Sequence, residues 1–254
     1  MNSLLPLIER DFRIKFKTIS YIIVQLIYPL ILMLVIGPSL SKLVSVITYE
    51  GVEVPYVIFI FPGIVVVATL LSAMTSGASL YVDKRNGMIY EMVISPTVNL
   101  RLYVFSKMIS SSVISLVQVL ILSFLIYAVK PEFFNIEFIL EVLALGFISS
   151  ILFSSLSTAL AVIIDNEEVF SGVFSIIVTL LTYISTVLYP LEALPEDLRL
   201  FAMFSPVTIM TELTRRIVLN VALNLSLVQY VIVYLVYVLI FMLISTISLR
   251  RFLS

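Results

Sequence analysis

The residues best suited to chemistry in this sequence are three carboxylates in one short run, Asp165, Glu167 and Glu168. Such a run suits a cation site or acid–base catalysis, and both commonly recruit histidine or cysteine as well. The 254-residue chain has neither residue type, and it lacks the GxxxxGK[ST] loop that holds nucleotide phosphates. A solvated turn is therefore the favoured interpretation. We predict no catalytic, cofactor-binding or metal-binding residue, and we expect that the chain is not an enzyme.

The elements around this turn are unusually apolar. The chain is 61% hydrophobic and only 12% charged, about half the charge of an average soluble domain. Six charge-free runs each exceed the roughly 20 residues that a helix needs to cross a bilayer. We predict an all-α polytopic membrane protein forming one domain over residues 1–254, with spans at 18–40, 56–80, 102–129, 140–164, 169–190 and 225–249.

The basic residues predict the orientation of these spans. With six spans, ten lysines and arginines fall on the side of the two termini and five on the other side. Because Lys and Arg are enriched in cytoplasmic loops, we expect both termini and the segment 81–101 to be cytoplasmic in a multi-pass protein of the cell membrane.

Two regions outside the spans carry helical patterns. Within residues 1–17, the spacing of Leu5, Ile8, Phe12 and Phe16 predicts an interfacial amphipathic helix; a charged tail that sets topology is the alternative. Residues 191–224 predict short external helices dipping into the outer leaflet, and a plain external loop is the alternative there.

Small residues recur at every fourth position of the predicted spans. They predict close helix packing, with a polar substrate path as the alternative: Ala73 and Gly77, Ser106 and Ser110, and Gly146, Ser150, Ser154 and Thr158.

Ionisable residues are rare inside the predicted spans. Lys107 lies near the cytoplasmic start of the third span, and we expect its side chain to snorkel to the interface. Transporters driven by ion gradients usually carry ionisable groups near the membrane centre, so a self-powered secondary transporter or channel is the second choice. An intramembrane enzyme lacks a catalytic constellation. The energy for transport is expected to come from outside the chain.

The longest charged segment between two apolar blocks runs from Tyr81 to Lys107. Asn86 and Gly87 should end the preceding helix, and the apolar residues that follow suggest a short amphipathic helix closed by Ser95-Pro96. Such a helix would act as a cytoplasmic lever that tilts two spans together. A loop that only carries orienting charges is the alternative.

Two motifs in this chain have a distinctive order of residues. The first is Asp83-Lys84-Arg85-x-Gly87, followed by Ser95-Pro96 and Lys107. The second begins Tyr189-Pro190-Leu191-Glu192-x-Leu194-Pro195 and continues to Ser205-Pro206 and Arg215. Together they resemble the motifs of the type-2 ABC (ATP-binding cassette) transporter permeases. The chain departs from the family pattern where Asp83 replaces a frequent Glu, and where Ser185-Thr186 replaces a Ser/Asn-Gly pair.

The resemblance implies an exporter permease that pairs with a second copy or a relative and with two ATPase subunits, which would bind ATP and Mg. The implied cargo is a hydrophobic or amphipathic drug, lipid, glycan or ion, and no nucleic acid is implied. The implied ATPase-coupling residues are Asp83, Lys84, Arg85, Gly87, Glu91, Ser95 and Pro96, with Glu167 and Glu168 as a second contact.

The fifth span is the most polar candidate for a substrate path. Its polar side chains could equally serve hydrogen bonding between helices: Thr179, Thr182, Tyr183, Ser185 and Thr186.

Overall fold

Helices make up nearly all of the fold in a computed structural model, as the composition predicts. It describes residues 4–16, 19–88, 100–129, 131, 136–219, 221 and 225–253. The α-helices are α1 Leu4–Phe16, α2 Ile19–Ile31, α3 Gly37–Ser41, α4 Tyr56–Arg85, α5 Leu100–Val129, α6 Ile136–Ile163, α7 Glu167–Tyr183, α8 Glu196–Phe204, α9 Pro206–Val218 and α10 Leu225–Leu253. A π-helical stretch, Leu32–Ile36, joins α2 to α3, and Leu191–Ala193 forms a 3₁₀ turn.

Four helical segments in the described part of the chain are long and apolar enough to cross a membrane. They are Ile23–Ser41, Tyr56–Arg85, Leu102–Val129 and Glu137–Ile163. The all-α membrane class is therefore confirmed, with four spans identified by length and composition.

The predicted fifth span, 169–190, is not one continuous helix. Helix α7 has 17 residues and ends at Tyr183, and the chain then bends through Ile184 to Tyr189. Side-chain hydroxyls donate hydrogen bonds to carbonyl groups that have no helical amide partner. Ser185 Oγ donates to the Thr182 carbonyl at 2.7 Å, and Tyr56 OH donates to the Leu188 carbonyl at 2.8 Å.

One short antiparallel hairpin joins α3 to α4, between the first two predicted spans. Strands β1, Val46–Tyr49, and β2, Val52–Pro55, pair around Glu50 and Gly51. Both turn residues have positive φ angles, 49° and 83°, as a two-residue hairpin turn of type I′ requires. We call this end of the bundle the hairpin end, and the opposite one the α1 end.

Helix α4 lies at the centre of the bundle and is buried along most of its length. It packs against α5, α6 and α9, and α6 also contacts α10. No charged residue lies in α4 between Tyr56 and Val82, so apolar and small polar side chains form its contacts.

Small hydroxyl residues fill the contact between α4, α5 and α6, which confirms the packing interpretation. Ser111 Oγ and Ser154 Oγ lie 2.7 Å apart across α5 and α6. Ser76 Oγ on α4 donates to the Ser154 carbonyl at 3.3 Å. The Gly77 amide donates to Ser157 Oγ at 3.2 Å. These bonds need close backbone approach, which residues as small as Gly and Ser allow.

Gly77 gives a direct test of this packing. A β-carbon there would overlap the carbonyl oxygen of Ser157. We expect Gly77→Ala to lower the free energy of unfolding by about 1–3 kcal/mol, the usual cost of overpacking a filled core. Gly172→Ala is the control, because a β-carbon at that helical glycine meets no atom within 4 Å. Its alanine should be neutral or stabilising. Unfolding of the purified protein in a denaturing-detergent titration measures both, and equal effects would contradict the close contact.

Candidate coupling site

The segment implied to couple the chain to an ATPase begins where α4 ends, at the α1 end of the bundle. Helix α4 stops at Arg85 because Gly87 adopts φ +74°, a left-handed conformation that glycine takes at little cost. Its amide donates to the Lys84 carbonyl at 3.2 Å, which satisfies one of the last carbonyls of the helix. The helix break predicted at Gly87 is confirmed.

The turn between α6 and α7 lies beside this helix end. Asn166 caps α7, since its side-chain oxygen accepts from the Glu168 amide at 2.8 Å and the Val169 amide at 3.1 Å. Glu167 and Glu168 occupy the first turn of α7, where carboxylates interact favourably with the helix dipole. The helix dipole therefore accounts for the placement of Glu167 and Glu168.

Two ion pairs and one hydrogen bond join this turn to the end of α4. Lys84 Nζ lies 2.6 Å from Asp165 Oδ1, and Arg85 NH1 lies 3.0 Å from Glu167 Oε2. Tyr81 OH donates to the Asp165 carbonyl. The Lys84 ammonium donates a hydrogen bond to the Asp165 carboxylate. This bond and the positive charge of Lys84 hold the pKa of that carboxyl below its usual range. Both acidic partners are exposed to solvent, so the pairs mainly align the turn with α4.

The two segments border an open groove. Its walls are Tyr81, Arg85, Asp165, Asn166, Glu167, Glu168 and Ser171. Arg85 leaves 73% of its side chain exposed and Glu167 leaves 49%, so charges of both signs face outward.

A buried charge network fixes the helices behind the groove. Lys107 Nζ lies 2.7 Å from Asp11 Oδ1 on α1 and 2.7 Å from Asp83 Oδ2 on α4. Tyr103 OH donates to Asp83 as well, and Arg10 NH2 lies 3.4 Å from its other oxygen. The network therefore ties together α1, α4 and α5.

The expectation that Lys107 snorkels to the membrane interface was wrong. The residue is 2% exposed because two carboxylates neutralise its ammonium inside the bundle. Asp11 lies 96 positions earlier in the chain, and nothing in the sequence indicates that α1 places it beside Lys107.

The structure separates the implied coupling residues into groups. Lys84, Arg85, Gly87, Glu167 and Glu168 lie at the groove or its edge. Asp83 points inward, so any part that it takes in coupling passes through Lys107 and α1. The remaining three lie outside the described residues: Glu91, Ser95 and Pro96.

The candidate path residues of the fifth span do not form one lining. Thr179 and Tyr183 are exposed, and Thr179 Oγ1 donates to the Ser175 carbonyl at 2.8 Å. Thr182, Ser185 and Thr186 are buried at the hairpin end. A substrate path along these residues stays a prediction.

The comparisons with known proteins agree with the geometry. The sequence profile described as ABC-2 type transporter matches residues 3–219, which is most of the chain.

The chain belongs to the ABC-2 type transporter family.

A search of curated proteins finds no match. The domain that defines this family is a membrane permease domain and not a nucleotide-binding domain. The protein is thus a multi-pass membrane permease of the ABC-2 type. In the described part of the chain, no group of three Asp, Glu, His or Cys side chains could hold a metal ion.

Sequence reasoning missed two residues that organise the site, Asp11 and Tyr103. Tyr103 lies four residues before Lys107, one helical turn away, which is the one signal that pointed to a shared face.

Lys107 should be essential for stability. Lys107→Met leaves Asp11 and Asp83 buried without their cation, and removing one partner of a buried pair typically costs about 3–5 kcal/mol. We expect a loss of that size in the free energy of unfolding of the purified permease. Lys42→Met is the control, because Lys42 is exposed at the hairpin end. A loss no larger than that of Lys42→Met would contradict the buried network.

Proposed function

We propose that this chain is the permease subunit of an ABC exporter that separate ATPase subunits drive through the groove at the α1 end. One observation carries the proposal: exposed charges of both signs, on Arg85 and Glu167, join the end of the central helix to the α6–α7 turn. A partner that engages this surface contacts two helix ends at once.

The position of α4 makes the groove a suitable place to apply force. Its last turn borders the groove, and the rest of the helix packs against α5, α6 and α9. Because Asp83 and Lys107 also bind α1, a push on Arg85 would move α1, α4 and α5 together. In the proposal, segment 81–101 is the coupling segment; its short amphipathic helix carries Glu91 and is closed by Ser95-Pro96.

The proposed topology has six spans with both termini in the cytoplasm of the cell. Beyond the four spans already identified, α7 with the bent chain after it forms the fifth and α10 forms the sixth. Helix α1 lies in the cytoplasmic interface, α8 and α9 lie in the outer leaflet, and the groove faces the cytoplasm. Ten of the fifteen basic residues on the α1 side support this orientation.

The working complex in this proposal contains two permease chains and two ATPase subunits. The ATPases bind ATP and Mg, since the chain has no phosphate loop of its own. Closure of the ATPases on ATP would drive the permease between inward- and outward-open states and move a hydrophobic or amphipathic cargo outward.

Reversing the charge of Arg85 tests the groove. A tagged chain should co-purify an ATP-binding cassette ATPase, and Arg85→Glu should reduce the amount recovered about tenfold, because it repels Glu167 and removes the exposed cation. The double variant Arg85→Glu with Glu167→Arg restores a pair of opposite charges and should recover part of the binding. Quantitative immunoblotting of the eluted ATPase gives the readout.

Lys42→Glu is the matched charge control at the hairpin end and should leave recovery unchanged. If the wild-type chain recovers no ATPase, or if the Lys42 and Arg85 variants lose it equally, the proposed coupling surface is wrong.

A substitution at Gly87 tests whether ATPase binding depends on the direction that the chain takes after α4. Proline cannot adopt φ +74°, since its ring fixes φ near −65°. Gly87→Pro should therefore redirect the coupling segment and lower ATPase recovery. Gly51→Pro is the matched control, since Gly51 also has a positive φ, at the hairpin end, and both glycines have open space around them. Loss of recovery in both variants would point to general misfolding.

A further inference from the structure

Three of the segments that run along the bundle are interrupted, and three are continuous. Helices α5, α6 and α10 have 30, 28 and 29 residues and contain no proline. The segment from α2 to α3 becomes π-helical at Leu32–Ile36, α4 contains Pro62, and the chain after α7 bends from Ile184 to Tyr189. Each interruption disturbs the regular helical hydrogen bonds, so bending costs least at these three places.

The three interruptions meet in one layer of contacts. Gly37 directly follows the π-helical stretch, and a β-carbon on it would lie 2.8 Å from Ile60 Cδ1 of α4. Gly63 lies about one turn further along α4, and a β-carbon on it would lie 2.7 Å from Val187 Cα of the bent chain. Pro62 falls between these two contacts. We call this set of residues the glycine layer.

Hydrogen bonds join the segments on the hairpin side of the glycine layer to one another. Arg215 donates to the Phe59 carbonyl at 3.1 Å and to the Thr186 carbonyl at 2.6 Å, which joins α9 to the first turn of α4 and to the bent chain. The Tyr49 hydroxyl of the hairpin donates to Glu212 Oε2 of α9 at 2.7 Å. We call these four segments the hairpin cap, and their shared bonds favour movement as one unit.

A second set of fixed contacts lies on the other side of the glycine layer. Ser76 of α4 donates to the Ser154 carbonyl of α6 at 3.3 Å, and the hydroxyls of Ser111 and Ser154 lie 2.7 Å apart across α5 and α6. A close-packed region of this kind resists deformation. The interruptions therefore lie between two regions that are each held together internally.

The bent chain has room to move on its hairpin side. A cavity of about 170 Å³ borders Thr186, Pro190 and Leu191. The buried hydroxyls of Thr182 and Thr186 make no hydrogen bond within the part of the chain that the structure describes. A displacement of the bent chain therefore meets open space, and it breaks no side-chain hydrogen bond of these two threonines.

We propose that the hairpin cap tilts as one unit against α5, α6 and α10, with the glycine layer as its hinge. Helix α9 packs against α6 and α10, so the motion combines a bend at the layer with a slide of α9 along these neighbours. Tilting opens the bundle beside the bent chain, and the cap thereby acts as a gate at the hairpin end. The motion belongs to the chain alone and needs no ATPase, so its test is independent of the proposed transport function.

Distances between spin labels on the full chain in phospholipid nanodiscs test the proposal. The sequence contains no cysteine, so two introduced cysteines are the only labelling positions. Glu53→Cys on the hairpin with Leu239→Cys on α10 forms the cap pair. Phe124→Cys on α5 with Leu239→Cys forms the control pair, and all three residues are exposed.

Pulsed electron–electron resonance on labelled chains diluted with unlabelled chains measures the distances within one chain. We expect a broader distance distribution for the cap pair than for the control pair, because only the cap pair spans the hinge.

Two substitutions in the glycine layer separate bending there from local motion of the hairpin. Pro62→Ala restores an amide that can pair with the Ile58 carbonyl, so it should narrow the distribution of the cap pair. Gly63→Ala places a β-carbon against the Val187 backbone. It should shift the most probable distance of the cap pair by about 2 Å or more, because close-packed segments transmit a displacement. Gly172→Ala is the control, since a β-carbon there meets no atom within 4 Å.

Thermal unfolding of each labelled variant verifies that it folds, and the comparison of the two pairs without further substitution stays decisive if Gly63→Ala does not fold. Three outcomes would overturn the inference. They are a cap pair as narrow as the control pair; a broad cap pair that Pro62→Ala leaves unchanged, which would assign the motion to the hairpin itself; and a folded Gly63→Ala chain with an unchanged distance.

Discussion

The burial of Lys107 between two carboxylates is the constraint on which the α1 end depends. A lone ammonium inside an apolar bundle would be very costly, so its position is tolerable only where Asp11 and Asp83 both reach it. That requirement holds α1 against α4 and α5 and sets where the last turn of α4 emerges. The groove and its exposed pairs are built on this turn, so the proposed coupling surface depends on the buried network.

A second buried cation organises the hairpin end in a different way. Arg215 binds two backbone carbonyls as well as Glu212, and one of these carbonyls belongs to the bent chain after α7. Because unpaired carbonyls are expensive away from water, the break in the fifth span depends on this guanidinium. Between the two ends, hydrogen bonds of Ser76, Ser111 and Ser154 join α4, α5 and α6. Buried ion pairs therefore stabilise both ends of the bundle, and closely packed, uncharged side chains fill its middle.

The sequence predicted the features that arise from local chemistry and missed those that join distant segments. Charge-free runs predicted the long helices, and Gly87 predicted the end of α4, because hydropathy and glycine conformations act locally. The role of Lys107 was misjudged because its partner Asp11 comes from a remote helix. The hairpin at Glu50 and Gly51 was missed because its strands have four residues each, too few for an alternating pattern. The family motifs led to the proposed coupling surface and included Arg215, but they gave no sign of its contacts with α4 and with the bent chain after α7.

Helix α4 is the physical link between the two ends. Its 30 residues, Tyr56 to Arg85, span about 45 Å at 1.5 Å per residue, and they include both the Arg215 contact at Phe59 and the groove residue Arg85. Pro62 lies just past Phe59 and lacks an amide hydrogen, so the Ile58 carbonyl loses its usual helical partner. Arg215 holds the short part of α4 before Pro62, and the Lys107 network holds the opposite end. In the proposed coupling mechanism, a force at Arg85 would reach the hairpin end either as a rigid shift of the whole helix, which would strain the Arg215 contacts, or as a bend at Pro62, which would leave them intact. The bend would break fewer buried hydrogen bonds, so the proposed mechanism favours Pro62 as the hinge of α4.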